Sequence, residues 1–170
     1  GGGNSSPTVE LTWALILASV RNLPREVRNM EEGRWQSTAG IGLQGKTLGV
    51  LGLSFKPNTN DMREAPSLTI LNALIKDGAT VRGYDPVAME EATKLIPGMV
   101  PCKDMYDVAE RADGLIIMTE WNQFRSLDFE RLKQAMRQPL LLDLRNVYDS
   151  ERVTGHGFRH VSVGRPTREP

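Results

Sequence analysis

A strand, a long polar loop and the start of a helix follow one another between Lys46 and Leu68, and this unit constrains the fold more than any other stretch. Residues 47–53 form an apolar run of the length and type of a buried parallel strand. Pro66 suits the first turn of a helix, and apolar residues follow it at helical spacing. The polar loop, residues 54–65, lies between them. This order is typical of a nucleotide-binding unit, in which a phosphate lies at the N-terminus of the helix.

The loop lacks the glycine fingerprint of dinucleotide-binding proteins. Counted from Gly52, the pattern G-x-G-x-x-G requires glycine at two positions that hold Ser54 and Pro57. Their side chains obstruct the close backbone approach that a pyrophosphate needs. We therefore expect charged side chains, Lys56 and Arg63 among them, to bind a phosphate-bearing ligand. The alternative, from composition alone, is a solvated loop whose charges pair with one another.

The same loop carries a recognisable signature. The string G-L-S-F-K-P-N-T-N-D-M-R-E-A-P-S, residues 52–67, resembles the start of the UDP-binding domain of the UDP-glucose/GDP-mannose dehydrogenase family, most closely its UDP-glucose 6-dehydrogenases. The similarity covers residues 45–166 and includes the strings G-A-T-V-R-G-Y-D-P, T-E-W-N-Q-F and L-D-L-R-N-V-Y-D. The resemblance implies that Phe55, Lys56 and Arg145 contact a UDP-sugar. Arginine suits this role, because its planar guanidinium can donate two parallel hydrogen bonds to a phosphate.

Three further positions are candidates with competing interpretations. Arg63 matches the loop signature and is a candidate for substrate binding, but it can equally pair with the acidic residues beside it. Trp121 either packs near the base or ribose of the ligand or belongs to the core. Asp85 closes the second predicted strand, where dinucleotide-binding proteins hold the adenosine ribose. In the absence of the glycines, a turn at the Asp-Pro pair explains this residue equally well.

The resemblance also implies a reaction for which this sequence lacks part of the catalytic residues. The family oxidises the C6 alcohol of the sugar to a carboxylate with NAD, through a thiohemiacetal on a cysteine in a G-G-x-C-x-x-K-D motif, which is absent from this sequence. Cys102 has no neighbouring base and is interpreted as structural. His156 and His160 lack ligand-like spacing, so we expect no metal site. We predict no catalytic residue and no bound cofactor in this chain.

The leading part of the chain resembles a different family. Residues 7–53, with P-T-V-E-L-T-W-A-L-I-L-A and G-L-Q-G-K-T-L-G-V-L-G-L, are similar to the interdomain helix and first NAD-domain strand of D-2-hydroxyacid dehydrogenases. In that family the glycine fingerprint follows, whereas here the pattern departs at Ser54. We predict a chimera of two Rossmann-like pieces joined at a common strand; the alternative is a natural fragment of a UDP-sugar dehydrogenase. Two other functions stay open, a recombined fold without a ligand and an NAD-binding module of hydroxyacid-dehydrogenase type.

Composition limits the partners and the compartment. Lysine plus arginine and aspartate plus glutamate each number 21, so no net charge favours nucleic acid or an acidic membrane surface. One cysteine fits a reducing compartment, and we expect a cytoplasmic protein. Residues 1–6 are interpreted as a tag or linker remnant without a signal peptide. The leading helix is apolar on several sides, and both resemblances imply a role in dimerisation, so we expect a homodimer that binds UDP or a UDP-sugar.

Helices and strands alternate beyond the loop. This alternation predicts an α/β fold, a Rossmann-like doubly wound and mostly parallel sheet, preceded by a long N-terminal helix that is kinked or restarted at Pro24. Residues 7–44 are assigned to the leading helix and linker, and residues 45–170 to the nucleotide-binding domain. Further strands are predicted over residues 80–84, 99–102, 114–119, 140–144 and 158–163, and helices over 66–76, 87–96, 105–111 and 127–137. The candidate ligand residues all fall at the carboxyl edge of this sheet, where ligands of such folds bind.

Overall fold

The computed structural model describes residues 7–35, 37 and 42–170, which fold around one six-stranded sheet. Every pairing between its strands is parallel, and the strand order is β3-β2-β1-β4-β5-β6. The strands are β1 (Thr47–Leu51), β2 (Thr80–Tyr84), β3 (Val100–Pro101), β4 (Gly114–Ile117), β5 (Leu140–Asp143) and β6 (Arg159–Ser162). The predicted Rossmann-like α/β fold is confirmed.

The helices cover both faces of the sheet, and those that follow β1 connect its strands. They are α1 (Pro7–Val20), α2 (Leu23–Glu31), α3 (Pro66–Lys76), α4 (Met89–Leu95), α5 (Phe129–Ala135) and α6 (Ser150–Gly155). The chain builds the sheet outward from β1 to β3 and then returns, so that β4 pairs with the other side of β1. The direction of sheet growth therefore reverses between β1 and β4. In open parallel sheets, ligands bind at the carboxyl ends of the strands beside such a reversal.

Two hydrophobic clusters hold the layers together, one on each face of the sheet. On the first face the buried strand residues are Leu48, Val50, Val81, Ile116, Leu140, Leu142 and Val161. On the second they are Leu51, Leu115, Ile117 and Leu141. Ile70 of α3 joins the first cluster, and Leu132 of α5 and Val153 of α6 join the second. Strands buried on both faces explain why their sequences read as continuous apolar runs rather than as alternating ones.

The leading helix α1 packs on the sheet of its own chain. Its Ile16 is completely buried within the first cluster. Arg159 of β6 reaches the end of this helix, where its Nη1 donates to Ser19 O at 3.3 Å and to Asn22 Oδ1 at 2.6 Å. Asn22 adopts a left-handed backbone conformation, and α2 begins directly after it with Pro24 in its first turn. The predicted restart of the helix is thus observed.

Local elements differ from the sequence prediction at two places. The helix expected over 105–111 is a single 3₁₀ turn, Asp107–Ala109, because Asp104 accepts the backbone N–H groups of residues 106 and 107 and closes a tight turn instead. The helix α6 was not predicted. The expected linker over 33–45 is described only in part, since residues 36 and 38–41 lie outside the described residues, and residues 1–6 also lie outside them.

Candidate functional site

Four loops meet at the carboxyl edge of the sheet, around the reversal between β1 and β4. They are residues 52–65 after β1, 85–88 after β2, 118–121 after β4 and 144–149 after β5. Gly52 allows the loops after β1 and β4 to touch. Its φ is +84°, and a Cβ at this position would lie 2.5 Å from the Cβ of Thr119. Thr119 Oγ1 donates to Ser54 O at 2.6 Å. The loops after β1 and β4 are therefore fixed to each other.

Asp85 is the internal anchor of this edge. Its side chain is completely buried, and Oδ2 accepts hydrogen bonds from Leu53 N at 2.8 Å, from Ser54 N at 3.0 Å and from Trp121 Nε1 at 3.2 Å. Its second oxygen, Oδ1, accepts the N–H groups of residues 87 and 88 in the turn that follows β2. A ribose hydroxyl has no access to a carboxylate in this position. The geometry thus favours the turn interpretation of Asp85 over cofactor binding.

Trp121 lies in the core rather than on the wall of a cleft. It is 7% exposed, and it belongs to the second hydrophobic cluster together with Phe124. Its single donor, Nε1, is directed at Asp85. A buried tryptophan usually satisfies its N–H in this way. The side chain therefore supports the loops from below, and little of its ring surface is open to a ligand.

The loop after β1 folds back on itself, and Arg63 takes part in this closure. Phe55 N donates to Asp61 O at 2.9 Å. The guanidinium of Arg63 binds the Asp61 carboxylate through Nε at 2.9 Å and Nη2 at 2.8 Å. Hydrogen bonds from the side chain and then the backbone of Arg63 lower the pKa of Asp61 to about 2. Arg63 is thus paired with Asp61 within the loop although its side chain is 88% exposed, and its role in substrate binding stays a prediction.

Phe55 and Lys56 stand at the exposed tip of the same loop. Phe55 is 47% exposed, which is high for a large apolar side chain. The ammonium group of Lys56 is exposed and has no hydrogen-bond or ion-pair partner within the described part of the chain. Ser54 Oγ lies 3.1 Å from the carbonyl oxygen of Lys56 and so fixes the backbone beneath it. The structure leaves both side chains available to a ligand.

Arg145 is held on one edge of its guanidinium. Its Nε donates to Met118 O at 2.8 Å and lies 3.1 Å from Glu120 Oε2. Nη1 and Nη2 make no hydrogen bond within residues 7–35, 37 and 42–170, although the side chain forms an ion pair with Glu120. The side chain is 33% exposed. The Nε edge of the guanidinium is therefore anchored, while its terminal N–H groups have the capacity to donate hydrogen bonds to an anion.

Lys56 and Arg145 belong to the same edge of the sheet. Their loops follow β1 and β5, which flank β4 on either side, so the two strands lie about 10 Å apart. Consecutive residues at the end of β4 connect them, because Met118 accepts from Arg145 and Thr119 donates to Ser54. The loops of the two cations are therefore joined through the end of β4.

An open groove of about 630 Å³ lies beside the loop, towards α4. It is lined by Thr59, Asn60, Asp61, Met62, Arg63, Leu68, Glu91 and Leu95. Asn60 Nδ2 donates to Glu91 Oε1 across it at 2.9 Å. The groove has a volume typical of small-molecule sites, and it shares Arg63 with the candidate ligand residues but not Phe55, Lys56 or Arg145.

Sequence reasoning missed Asp143, which organises the loop after β5. This completely buried carboxylate accepts from Arg145 N at 3.1 Å and from Tyr148 N at 2.9 Å. Burial acts to raise the pKa of Asp143, but the imidazole of His160 and the backbone N–H groups of residues 145, 147 and 148 outweigh it and lower that pKa. The available signal was its position: like Asp85, it is an aspartate that closes an apolar strand.

The described residues offer little for covalent or metal chemistry. Burial raises the pKa of the Cys102 thiol to about 11, so this thiol is protonated at neutral pH and is a poor nucleophile. Among the residues that the structure describes, no three histidine, cysteine, aspartate or glutamate side chains group as metal ligands. No helix in that same part of the chain is long and apolar enough to cross a membrane.

Comparisons with known proteins agree with the fold. The sequence profile of the UDP-glucose/GDP-mannose dehydrogenase family, UDP binding domain, matches residues 49–150. A UDP-glucose 6-dehydrogenase of Rhizobium meliloti (strain 1021) is 53% identical over 130 residues, which are 76% of this chain and 30% of that protein. The chain thus spans about three tenths of the length of the curated relatives that it matches.

Solved structures show the same architecture. A UDP-glucose dehydrogenase from Pyrobaculum islandicum superimposes with a TM-score of 0.62 at 27% identity, over 91% of this chain and 29% of that one. A phosphoglycerate oxidoreductase from Vibrio cholerae O395 superimposes with a TM-score of 0.67 at 21% identity, over 91% of this chain and 50% of that one. At that identity the second likeness shows the fold alone. The origin of residues 7–53 in a D-2-hydroxyacid dehydrogenase stays a prediction.

Proposed function

Because the chain belongs to the UDP-glucose/GDP-mannose dehydrogenase family, we propose that it binds UDP and UDP-sugars at the carboxyl edge of its sheet. One observation carries this proposal: among the described residues, the Lys56 ammonium has no hydrogen-bond or ion-pair partner and the terminal nitrogens of Arg145 make no hydrogen bond, and both residues lie in loops at the same edge of the sheet, on either side of β4. In contrast, Arg63 and Asp85 are engaged within the protein. Two cations at one edge of the sheet, with N–H groups that make no hydrogen bond among the described residues, suit a diphosphate.

Each of the three exposed residues has a distinct part in this proposal. Arg145 donates its two terminal N–H groups to one phosphate, while its Nε stays on Met118 O. Lys56 supplies a point charge to the diphosphate from the other side of β4. Phe55 offers an exposed ring face on which the uracil or ribose packs. Trp121 contributes indirectly, because it holds Asp85 and thereby the backbone under Lys56.

The residues after β1 do not fit NAD in the position that dinucleotide-binding folds use. Ser54 and Pro57 replace the required glycines, and Asp85 is buried with both oxygens already bonded to protein donors. We therefore assign no NAD to this domain. The activity proposed for the whole protein is that of an NAD-dependent UDP-glucose 6-dehydrogenase, and the share of this domain is to hold the UDP moiety.

Isothermal titration tests the ligand assignment. UDP should bind more tightly than NAD, and Lys56→Ala and Arg145→Ala should each weaken UDP binding by roughly tenfold or more, because a charged hydrogen bond to phosphate is lost. Lys76→Ala is the matched control, since this cation lies in the last turn of α3, at the opposite edge of the sheet. Equal affinity for UDP and NAD, or wild-type binding by both variants, would refute the assignment.

Thermal unfolding separates this function from the alternative without a ligand. A ligand that binds only the folded state raises the melting temperature in proportion to its saturation. UDP should therefore stabilise the wild-type protein and not the Lys56→Ala/Arg145→Ala double variant. A cooperative melt that saturating UDP does not shift would instead favour a recombined fold with no ligand.

We also propose that the chain forms a homodimer through its leading helices. Large apolar side chains remain exposed on this part of the chain although α1 already packs on its own sheet. They are Leu11, Leu23, Val27, Met30 and Trp35. Exposed apolar side chains concentrated on one segment mark an interaction surface. A second copy of the chain, which carries the same surface, is the occupant that we propose.

A further inference from the structure

A buried polar cluster lies directly beneath the loop that carries Arg145. It consists of Asp143 at the end of β5, His160 on the neighbouring strand β6, and Ser150 in the first turn of α6. The side chains of Asp143 and His160 have no exposed surface. His160 Nδ1 lies 2.9 Å from Ser150 Oγ, and His160 Nε2 lies 3.8 Å from Asp143 Oδ2.

The charges in this cluster determine how the imidazole is oriented. The carboxylate of Asp143 favours the His160 tautomer with a hydrogen on Nε2, the nitrogen that faces it. The hydroxyl of Ser150 then donates to Nδ1. A separation of 3.8 Å is too long for a direct hydrogen bond but short enough for a strong electrostatic contact in a buried environment. His160 is thus held by a hydrogen bond on the Ser150 side and by an electrostatic contact on the Asp143 side, where Nε2 has no hydrogen-bond partner among the described residues.

The cluster connects to the backbone of the loop through Asp143. One carboxylate oxygen accepts from Arg145 N at 3.1 Å, and the other, which faces His160, accepts from Tyr148 N at 2.9 Å. These two bonds set the turn over residues 145–148. Since the guanidinium of Arg145 is anchored at only one edge, the direction of its outer edge depends on where this turn places the Arg145 Cα.

The same residue types form the catalytic triads of serine hydrolases, but this cluster is not arranged for such chemistry. A triad needs an imidazole that can exchange protons with a bound substrate. His160 has no exposed surface, and a strand, a helix and the Arg145 loop enclose it. The cluster therefore acts on the protein itself.

We propose that Asp143 and His160 are positioning residues for Arg145, and that they fix its loop so that the guanidinium meets the diphosphate in the correct orientation. The part of this inference that concerns the ligand rests on the proposed function. The ordering of the Arg145 loop is a property of the ligand-free protein and can be measured without any nucleotide.

The first test is NMR of the ligand-free protein. Asp143→Asn and His160→Gln should shift the Arg145 Nε–Hε resonance and increase hydrogen exchange of the Arg145 and Tyr148 amides by roughly tenfold, because the bonds that protect them weaken. Amides of β1 should exchange as in the wild type. Unchanged resonance and protection in both variants would overturn the proposal.

Two further variants make this result specific. Ser162→Ala changes another buried side chain of β6 that has no hydrogen-bond partner in the described part of the chain, and it should leave the Arg145 signals unchanged. Ser150→Ala removes only the hydroxyl that orients His160, so it can replace His160→Gln as the test variant if His160→Gln fails to fold. It should loosen the Arg145 loop in the same direction as His160→Gln but by less. Equal effects of Ser150→Ala and Ser162→Ala would count against the cluster.

A double-mutant cycle on UDP binding provides the second test. His160→Gln should weaken UDP binding by roughly tenfold in the presence of Arg145 and should have no further effect in the Arg145→Ala background, because His160 acts through that side chain. Additive losses would show a merely structural role and overturn the proposal. If the wild type binds no UDP, the proposed function fails, and the NMR experiment still decides whether the cluster orders the loop.

Discussion

At the scale of single residues, Gly52 determines whether the loops after β1 and β4 can meet. Its φ of +84° is unfavourable for any residue with a Cβ, and the added atom would lie 2.5 Å from Thr119 Cβ and 2.7 Å from Thr119 N. Backbone atoms cannot move aside as a flexible side chain can. The glycine therefore serves the contact between two loops rather than the approach of a pyrophosphate.

We predict that Gly52→Ala lowers the free energy of unfolding by about 3 kcal/mol, as overpacking and backbone strain combine. Urea denaturation followed by circular dichroism measures this loss. Gly155→Ala is the control, because a Cβ at that position, the last residue of α6, meets no atom within 4 Å and requires no left-handed backbone. A Gly52→Ala protein as stable as the control would show that the two loops are not in contact.

The sequence predicted which residues lie at the carboxyl edge better than it predicted where their side chains point. Phe55, Lys56 and Arg145 are exposed or half-exposed there. Trp121 and Asp85 occupy equivalent positions just after strands, yet both are buried and bonded to each other. A strand end fixes the position of a Cα but not the direction of its side chain, which depends on partners from other loops that are far away in sequence.

At the scale of secondary-structure elements, the short helix α6 links the loop of Arg145 to the buried cluster. Asp149 caps this helix, and its carboxylate accepts from Glu151 N at 2.9 Å. Because α6 has only 6 residues, it makes few internal hydrogen bonds, and its cap contributes a large share of its stability. Ser150, which orients His160, lies in the turn that this cap holds.

We predict that Asp149→Ala lowers the free energy of unfolding by about 1 kcal/mol and weakens UDP binding, because the cap and the Ser150 turn loosen together. Denaturation and titration of the same samples measure both effects. Asp128→Ala, at the equivalent cap of α5, removes a similar hydrogen bond from Arg131 N at 3.1 Å and should lower stability without changing UDP affinity. Equal UDP affinity in the two variants would contradict the link between α6 and the ligand site.

Long apolar elements were predictable, whereas short polar ones were not. The helix over residues 66–76 and the strand over residues 80–84 were predicted with the observed bounds, since both carry clear periodicity and end at recognisable signals. The helix α6 is too short to show an apolar repeat, and the only sequence signal for it is the aspartate that caps it. At residues 105–111, side-chain acceptance by Asp104 replaced a helix by a tight turn.

At the scale of the whole molecule, alternation of helices and strands predicted the parallel sheet but not the order of its strands. The reversal at β1 depends on β4 pairing with a strand more than sixty positions earlier in the chain, for instance Leu48 with Gly114. No local pattern encodes such a pairing. Right-handed crossovers restrict the possible orders, and packing of both faces selects among them. The candidate site follows from this order, because β4 separates the loops of Lys56 and Arg145.

The surface of the leading helices carries the prediction about assembly. Val27 is 53% exposed and Met30 is 59% exposed on α2, while Ile16 attaches α1 to the sheet of its own chain. The monomer should therefore fold on its own with this surface exposed. Association of two copies should bury the outer faces of the helices, and each helix should stay packed on its own chain. We expect a homodimer at micromolar concentration, measured by light scattering and sedimentation.

The Val27→Glu/Met30→Glu double variant should be a folded monomer. Its added carboxylates repel those of the other copy across a symmetric interface, and they replace apolar side chains whose burial would favour association. Val87→Glu, which places a charge on another exposed valine far along the chain from the helices, should remain dimeric. A monomeric wild-type protein would exclude the dimer. A double variant that stays dimeric would place the interface on another surface, and one that unfolds would show that the outer face of α2 contributes to the fold of its own chain.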